Sequence, residues 1–178
     1  DQKWRMFLFD VPESERSVRR QLTRSLQRLG CGCLQGSVWI SAMKPAGLPG
    51  AFPEEGTDCS HLIVLDAASR GLKVDRKMVE AAWDFEKINA LYQCHIDVME
   101  RMPAERSGST PAALSAWSEE ENRCWLEAVR ADPLLPAELL PSGYLGRTAW
   151  RKRKSVIRRA AGLARKLGDA LRKQPEAP

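Results

Sequence analysis

The chain has 178 residues, 43% of them hydrophobic, and a formal net charge of +5 at pH 7. That length holds one full domain, or a compact domain with a helical appendage, and that apolar content excludes a disordered chain. No apolar run approaches the roughly 20 residues that cross a bilayer, and the five cysteines are scattered, which argues for reduced thiols and a cytoplasmic protein rather than a secreted disulfide framework.

Residue 1 is Asp rather than Met, and the first apolar run, Trp4 to Phe9, is too short for a secretory leader. An N-terminal piece is therefore expected to precede Asp1. The run from Trp4 to Asp10 carries apolar residues on both faces and reads as a buried strand. Val11-Pro12 stops it, and Ser14 is expected to cap a helix with acids in its first turn. Val18, Leu22, Leu26 and Leu29 form the stripe of a helix packed on a sheet, closed by Gly30. Cys33 to Ser41 reads as strand again, with Gly36 marking a kink between two short strands. Residues 42–60, with Pro45, Pro49 and Pro53 among glycines, read as a long loop or a poor helix. His61 to Leu65 is a further short strand. This order predicts a ferredoxin-like α+β sandwich over residues 1–75, which leaves 76–178 for an all-helical C-terminal domain.

In that second part, Val79, Trp83, Ile88, Leu91, Tyr92, Ile96 and Met99 predict one long helix over about 77–101. A polar linker follows, and a helix from Pro111 to Ala131 is expected to turn Leu114, Trp117, Trp125, Leu126 and Val129 inward. Asp132-Pro133 ends it. The last helix starts near Arg147, with Trp150, Val156, Ile157, Ala160, Leu163, Ala164, Leu167 and Leu171 on one side.

Two basic clusters stand out. Arg16, Arg20, Arg24 and Arg28 recur every fourth residue, with Arg19 beside them, as a ridge opposite the apolar stripe. Such a ridge is either a solvated helix face or a surface that neutralises phosphates. Between Arg147 and Pro178 there are eleven Lys or Arg against two acids. Arg151, Lys152, Arg153 and Lys154 open the last helix, where cations oppose the helix dipole; they are either solvated or meet an external anion, nucleic acid or the phosphates of a CoA nucleotide. Cys31-x-Cys33 and Cys59-x-His61 are spaced too tightly for structural zinc knuckles and read as buried thiols. Cys94 and His95, adjacent on a helix, point about 100° apart, and Cys124 is expected in the core. No Ser-His-Asp order and no Gly-rich phosphate loop is present.

Four stretches carry a resemblance. Lys3-Trp4-Arg5 through Asp10-Val-Pro12-Glu13 comes first, then Leu34-Gln35-Gly-Ser37-Val38-Trp39. Ala82-Trp83-Asp84 opens a helix, and Asp132-Pro133 runs through Pro136 and Glu138-Leu139-Leu140-Pro141. In this order they span nearly the whole chain and resemble the central and C-terminal domains of the phenylacetate-degradation repressor (PaaX-type) family. The central domain of that family is similar in turn to the small CRISPR adaptation nuclease, a ferredoxin-fold dimer.

The resemblance implies a homodimer that binds double-stranded DNA, mainly through a winged helix preceding the position of Trp4, and that releases it on binding an acyl-CoA such as phenylacetyl-CoA. It also implies an aromatic effector pocket, for which Trp39, Trp83 and Tyr92 are the candidates, although all three occupy apolar-stripe positions. By the same resemblance Asp10 would hold a divalent metal such as Mg²⁺ at a dimer axis, or else simply begin the turn before Glu13; a lone carboxylate offers a hard cation few ligands. The sequence is thus read as the dimerisation and effector-sensing body of a regulator, without catalytic residues, resident cofactor or metal. The alternative is a stand-alone relative of the CRISPR nuclease that binds or cuts DNA with a divalent metal, and a third reading is an interaction module without a ligand.

Overall fold

A computed structural model describes residues 3–42, 60–104 and 109–173. The loop read over residues 42–60 falls, apart from its two ends, outside the described residues, as does Cys59. The chain divides into two compact units, Asp1–Phe85 with Val129–Ser142, and Glu86–Ala128 with Gly143–Pro178. The expected boundary at 75/76 thus falls inside the first unit, because the helix that follows residue 71 packs on the sheet.

In the first unit four strands, β1 (Lys3–Phe9), β2 (Gly32–Gln35), β3 (Val38–Ser41) and β4 (Leu62–Ala68), form one sheet in the order β2-β3-β1-β4. Every adjacent pair is antiparallel. Two strand-crossover pairs interleaved in this way are the ferredoxin-like arrangement. Gly36 lies in the turn between β2 and β3 with φ +52, a conformation that L side chains avoid, and the hairpin is bulged between Cys33 and Gln35.

Alternation along β1 divides the apolar residues between the two faces of the sheet. Phe7 and Phe9 join Trp39, Cys31 and Val11 under helix α1 (Arg16–Arg28), which contributes Leu22 and Leu26. Both leucines are fully buried, and each contributes on the order of 1.5–3 kcal/mol. On the other face Trp4 and Ile40 pack against Val79 of helix α2 (Leu72–Ala82), with Leu135 and Leu139. The indole of Trp4 donates to the buried carboxylate of Asp75 at 2.5 Å, which gives that α2 acid a partner inside the core.

Ser14 does not cap α1. It sits in a 3-10 turn, Glu13–Glu15, in which the Glu15 N–H bonds to the Pro12 carbonyl, and the residue before α1 is Glu15 with no side-chain cap. The helix expected over 77–101 is two helices, α2 and α3 (Phe85–Glu100). Trp83 is extended (φ −130, ψ 137), and its indole donates to the Gly30 carbonyl while its ring packs 6.3 Å from that of Trp4. A tertiary anchor breaks a periodicity that the sequence continues straight through.

The second unit is helical: most of α3, α4 (Pro111–Ala131) up to Ala128, and α5 (Gly146–Lys173). Thr110 caps α4, its hydroxyl accepting from the Ala113 N–H, with Pro111 at the first helical position. The inward face of α4 in this unit is Leu114, Trp117, Glu121, Cys124 and Ala128, so Leu126, expected inside, is exposed. On α5 the buried stripe runs through Ala149, Val156, Ala160 and Leu163, which turns Trp150 and Ile157 outward by one position.

Candidate functional site

The arginine ridge on α1 divides in two. Arg16 and Arg19 are tied to the preceding turn: both pair with Glu13, and Arg19 also donates to the Val11 carbonyl at 2.6 Å. Arg20, Arg24 and Arg28 instead line an open groove of about 1100 Å³, together with Ser17, Gln21, Gln27 and Arg130. Arg130 comes from the last turn of α4, in the stretch that belongs to the same unit. The groove's lining thus brings four guanidiniums to one volume. Planar guanidiniums suit the oxygens of phosphate, so the arrangement offers a place for an anion. Arg130 was not legible as a partner of the ridge, because 102 residues separate it from Arg28 (130 − 28).

Asp10 is exposed at the end of β1, where the Phe9 N–H bonds to the Ser37 carbonyl at 3.3 Å. Among the described residues no group of three His, Cys, Asp or Glu is placed to hold a metal ion. Cys31 is buried, and its burial pushes the thiol up to about 12. Cys33 is half-buried and bonds through Sγ to the Gly36 carbonyl, and His61 pairs with Glu15 at 3.3 Å.

The basic run that opens α5 is largely engaged by the chain itself. Lys152 pairs with Glu100 at 2.5 Å, and Lys154 lies 4.8 Å from the centre of the Trp150 ring. Arg153 grips Glu121, Nε to Oε1 at 2.7 Å and Nη2 to Oε2 at 3.2 Å, and its guanidinium lies over Trp125. Arg151 is exposed.

Glu121 also receives His95, whose Nε2 is 2.7 Å from Oε1. Both residues are buried, and His95 Nδ1 has no hydrogen-bond partner, which makes Nε2 the donating nitrogen. Burial by itself would push the Glu121 carboxyl up; the hydrogen bonds from His95 and Arg153, with their charges, outweigh it and hold the group below its usual range. The sequence held a signal for this network. Residues 117, 121, 124 and 128 make one helical face, and a glutamate on an otherwise apolar face requires a buried partner.

The three aromatic candidates fill different places. Trp39 lies in the core under α1, its indole N–H without a hydrogen-bond partner, whereas Trp83 belongs to the opposite face of the sheet. Tyr92 belongs to the second unit, with Tyr144 edge-on at 5.9 Å and Trp125 at 6.2 Å. Trp125 stacks on the half-exposed Trp150, with centroids 5.5 Å apart and planes 24° apart.

The geometry thus defines a ferredoxin-like sandwich with a cationic groove, followed by a helical unit built round a buried ion pair and an aromatic stack. The sequence profile of the PaaX protein central Cas2-like domain matches residues 1–79, and that of the PaaX-like protein C-terminal domain matches residues 83–170. The chain belongs to the PaaX family. Among solved structures it is similar to the uncharacterized protein Rv0674 from Mycobacterium tuberculosis, at 15% identity and a TM-score of 0.63, over 94% of this chain and 64% of that one. At that identity the likeness is one of fold, and this chain spans less than two thirds of that protein's length. No curated protein sequence matches the chain, and no helix among the described residues is long and apolar enough to cross a membrane.

Proposed function

We propose that this chain is the dimerising and effector-sensing body of a PaaX-like transcription regulator, a repressor that leaves DNA when an acyl-CoA-type metabolite binds. The carrying observation is the groove where Arg20, Arg24, Arg28 and Arg130 converge. Each phosphate neutralised there releases counterions, so the groove adds salt-dependent affinity and fixes register on the duplex. Sequence reading belongs, in this proposal, to the winged helix that precedes this part of the chain in the family. Support for self-association comes from β4, an edge strand on which Ile63, Val64 and Leu65 are 60%, 48% and 41% exposed. The aromatic group round Tyr92 and Trp125 is the support within the chain for an aromatic acyl effector.

The test is duplex DNA binding by this chain, followed by fluorescence anisotropy over a range of KCl concentrations. The logarithm of affinity is expected to fall linearly with log salt, and Arg24→Gln and Arg130→Gln each to reduce the slope by about 1. Binding that ignores both substitutions overturns the groove. Calorimetry with phenylacetyl-CoA, free phenylacetate and CoA addresses the effector, and absence of heat from the thioester removes that part of the reading.

A further inference from the structure

Two thiols meet where α3 faces α4 in the second unit. The helices run antiparallel, as three contacts show: Tyr92 packs on Trp125, His95 bonds Glu121, and Trp117 donates to the Val98 carbonyl. Residues 94 and 124 fall between the first two of these contacts, at one level of the seam, where Cys94 is an electrostatic neighbour of Cys124. Neither is in a disulfide; Cys94 is exposed and Cys124 is buried. The pairing is therefore unsymmetrical, with one sulfur open to solvent and the other held behind it.

We propose that Cys94 and Cys124 are an oxidisable pair, a modification site at which hydrogen peroxide closes a disulfide between α3 and α4. In the first step the Cys94 thiolate attacks one peroxide oxygen. The O–O bond breaks, the departing hydroxide takes up the proton that the Cys94 thiol released and leaves as water, and Cys94 becomes a sulfenic acid, oxidised by two electrons while the peroxide is reduced. In the second step the Cys124 sulfur attacks Cys94 Sγ, an S–S bond forms, the S–O bond breaks, and a second water carries away the hydroxyl with the Cys124 proton. The sum is two thiols and one peroxide to one disulfide and two waters. Cys94 is the sulfur open to solvent, and burial, then the neighbouring Cys94 sulfur, push the Cys124 thiol up, so the exposed member is oxidised first. A peroxide suits the site because it leaves only water at the helix seam, whereas a low-molecular-weight disulfide would have to leave a thiol there.

This inference stands on the second unit alone and does not depend on DNA or acyl-CoA binding. The reduced full chain is treated with hydrogen peroxide, alkylated under denaturing conditions and digested with trypsin. The expected product links peptides Ile88–Arg101 and Cys124–Arg130 within one chain and has lost the mass of two hydrogens. Cys94→Ser abolishes the link and leaves Cys124 fully alkylated. Cys124→Ala stops the reaction at a Cys94 sulfenic acid that dimedone traps, which tests the order of steps without a disulfide. Over-oxidation of Cys94 in the native chain with Cys124 still alkylated, a disulfide between chains, or no reaction at either thiol overturns the proposal.

Discussion

Arg153 binds both carboxylate oxygens of Glu121, one at 2.7 Å and the other at 3.2 Å, although the two residues lie on different helices and the acid is only 1% exposed. A carboxylate so deep is tolerated because His95 and Arg153 together replace its water.

Removing the cation therefore exposes the cost of burying the acid. Arg153→Met is expected to destabilise the chain by about 3–5 kcal/mol, and Glu121→Gln by less, since a neutral amide is easier to bury. The double variant is expected to lose well under the sum of the two, and urea midpoints of all four proteins in a double-mutant cycle measure the difference. Additive losses would show that the two side chains do not act together.

The same pair predicts a pH dependence. The folded-state carboxyl of Glu121 lies below its usual 4.5, so its contribution is complete above that value and is lost as pH falls through the folded value. Wild type and Glu121→Gln are expected to differ most near neutrality and to converge on acidification below 4.5. A stability gap that stays constant into the acid range would contradict this.

Trp4 anchors α2 through its indole N–H. Trp4→Phe keeps most of the apolar volume but leaves the buried Asp75 oxygen without that donor, a loss of about 1–3 kcal/mol. Thermal unfolding should register it, and Asp75→Asn, which can still accept from the indole, should lose less.

Gly32 has no room for a side chain. A Cβ there would lie 2.6 Å from the Trp83 ring and 2.7 Å from the Ala82 Cβ. Gly32→Ala is expected to destabilise by about 1–3 kcal/mol, and Gly32→Ala combined with Trp83→Leu by less than the two changes separately.

Edge pairing through β4 is tested by Ile63→Lys, which places a charge on the exposed strand without emptying the core. Sedimentation velocity is expected to show a dimer for the parent chain and a monomer for the variant. A variant that sediments as the parent does would move the self-association surface elsewhere.

What could be read from the sequence was whatever repeats over a few residues. The apolar run Trp4–Phe9, the Val18–Leu29 stripe and the break at Gly36 each depend on near neighbours, and each forms where the pattern places it. The misread features answer to distant partners. Trp83 continues a helical stripe, but Gly30 and Trp4 pull it into an extended conformation. Leu126 and Trp150 are apolar, yet the helix phases set by Glu121 and Ala149 turn them outward. In the candidate site the ridge itself was visible, whereas the division between Glu13-bound and groove-lining arginines, and the arrival of Arg130, depend on folding.

The stacked indoles of Trp125 and Trp150 give the helical unit an optical signature of its own. Two like chromophores 5.5 Å apart and 24° from parallel couple their strong transitions, and paired bands of opposite sign are expected in the far-ultraviolet circular dichroism. Because Arg153 covers one ring and Lys154 the other, any event that shifts these cations changes the band shape before the backbone unfolds. The helical unit thus reports on itself without an added label.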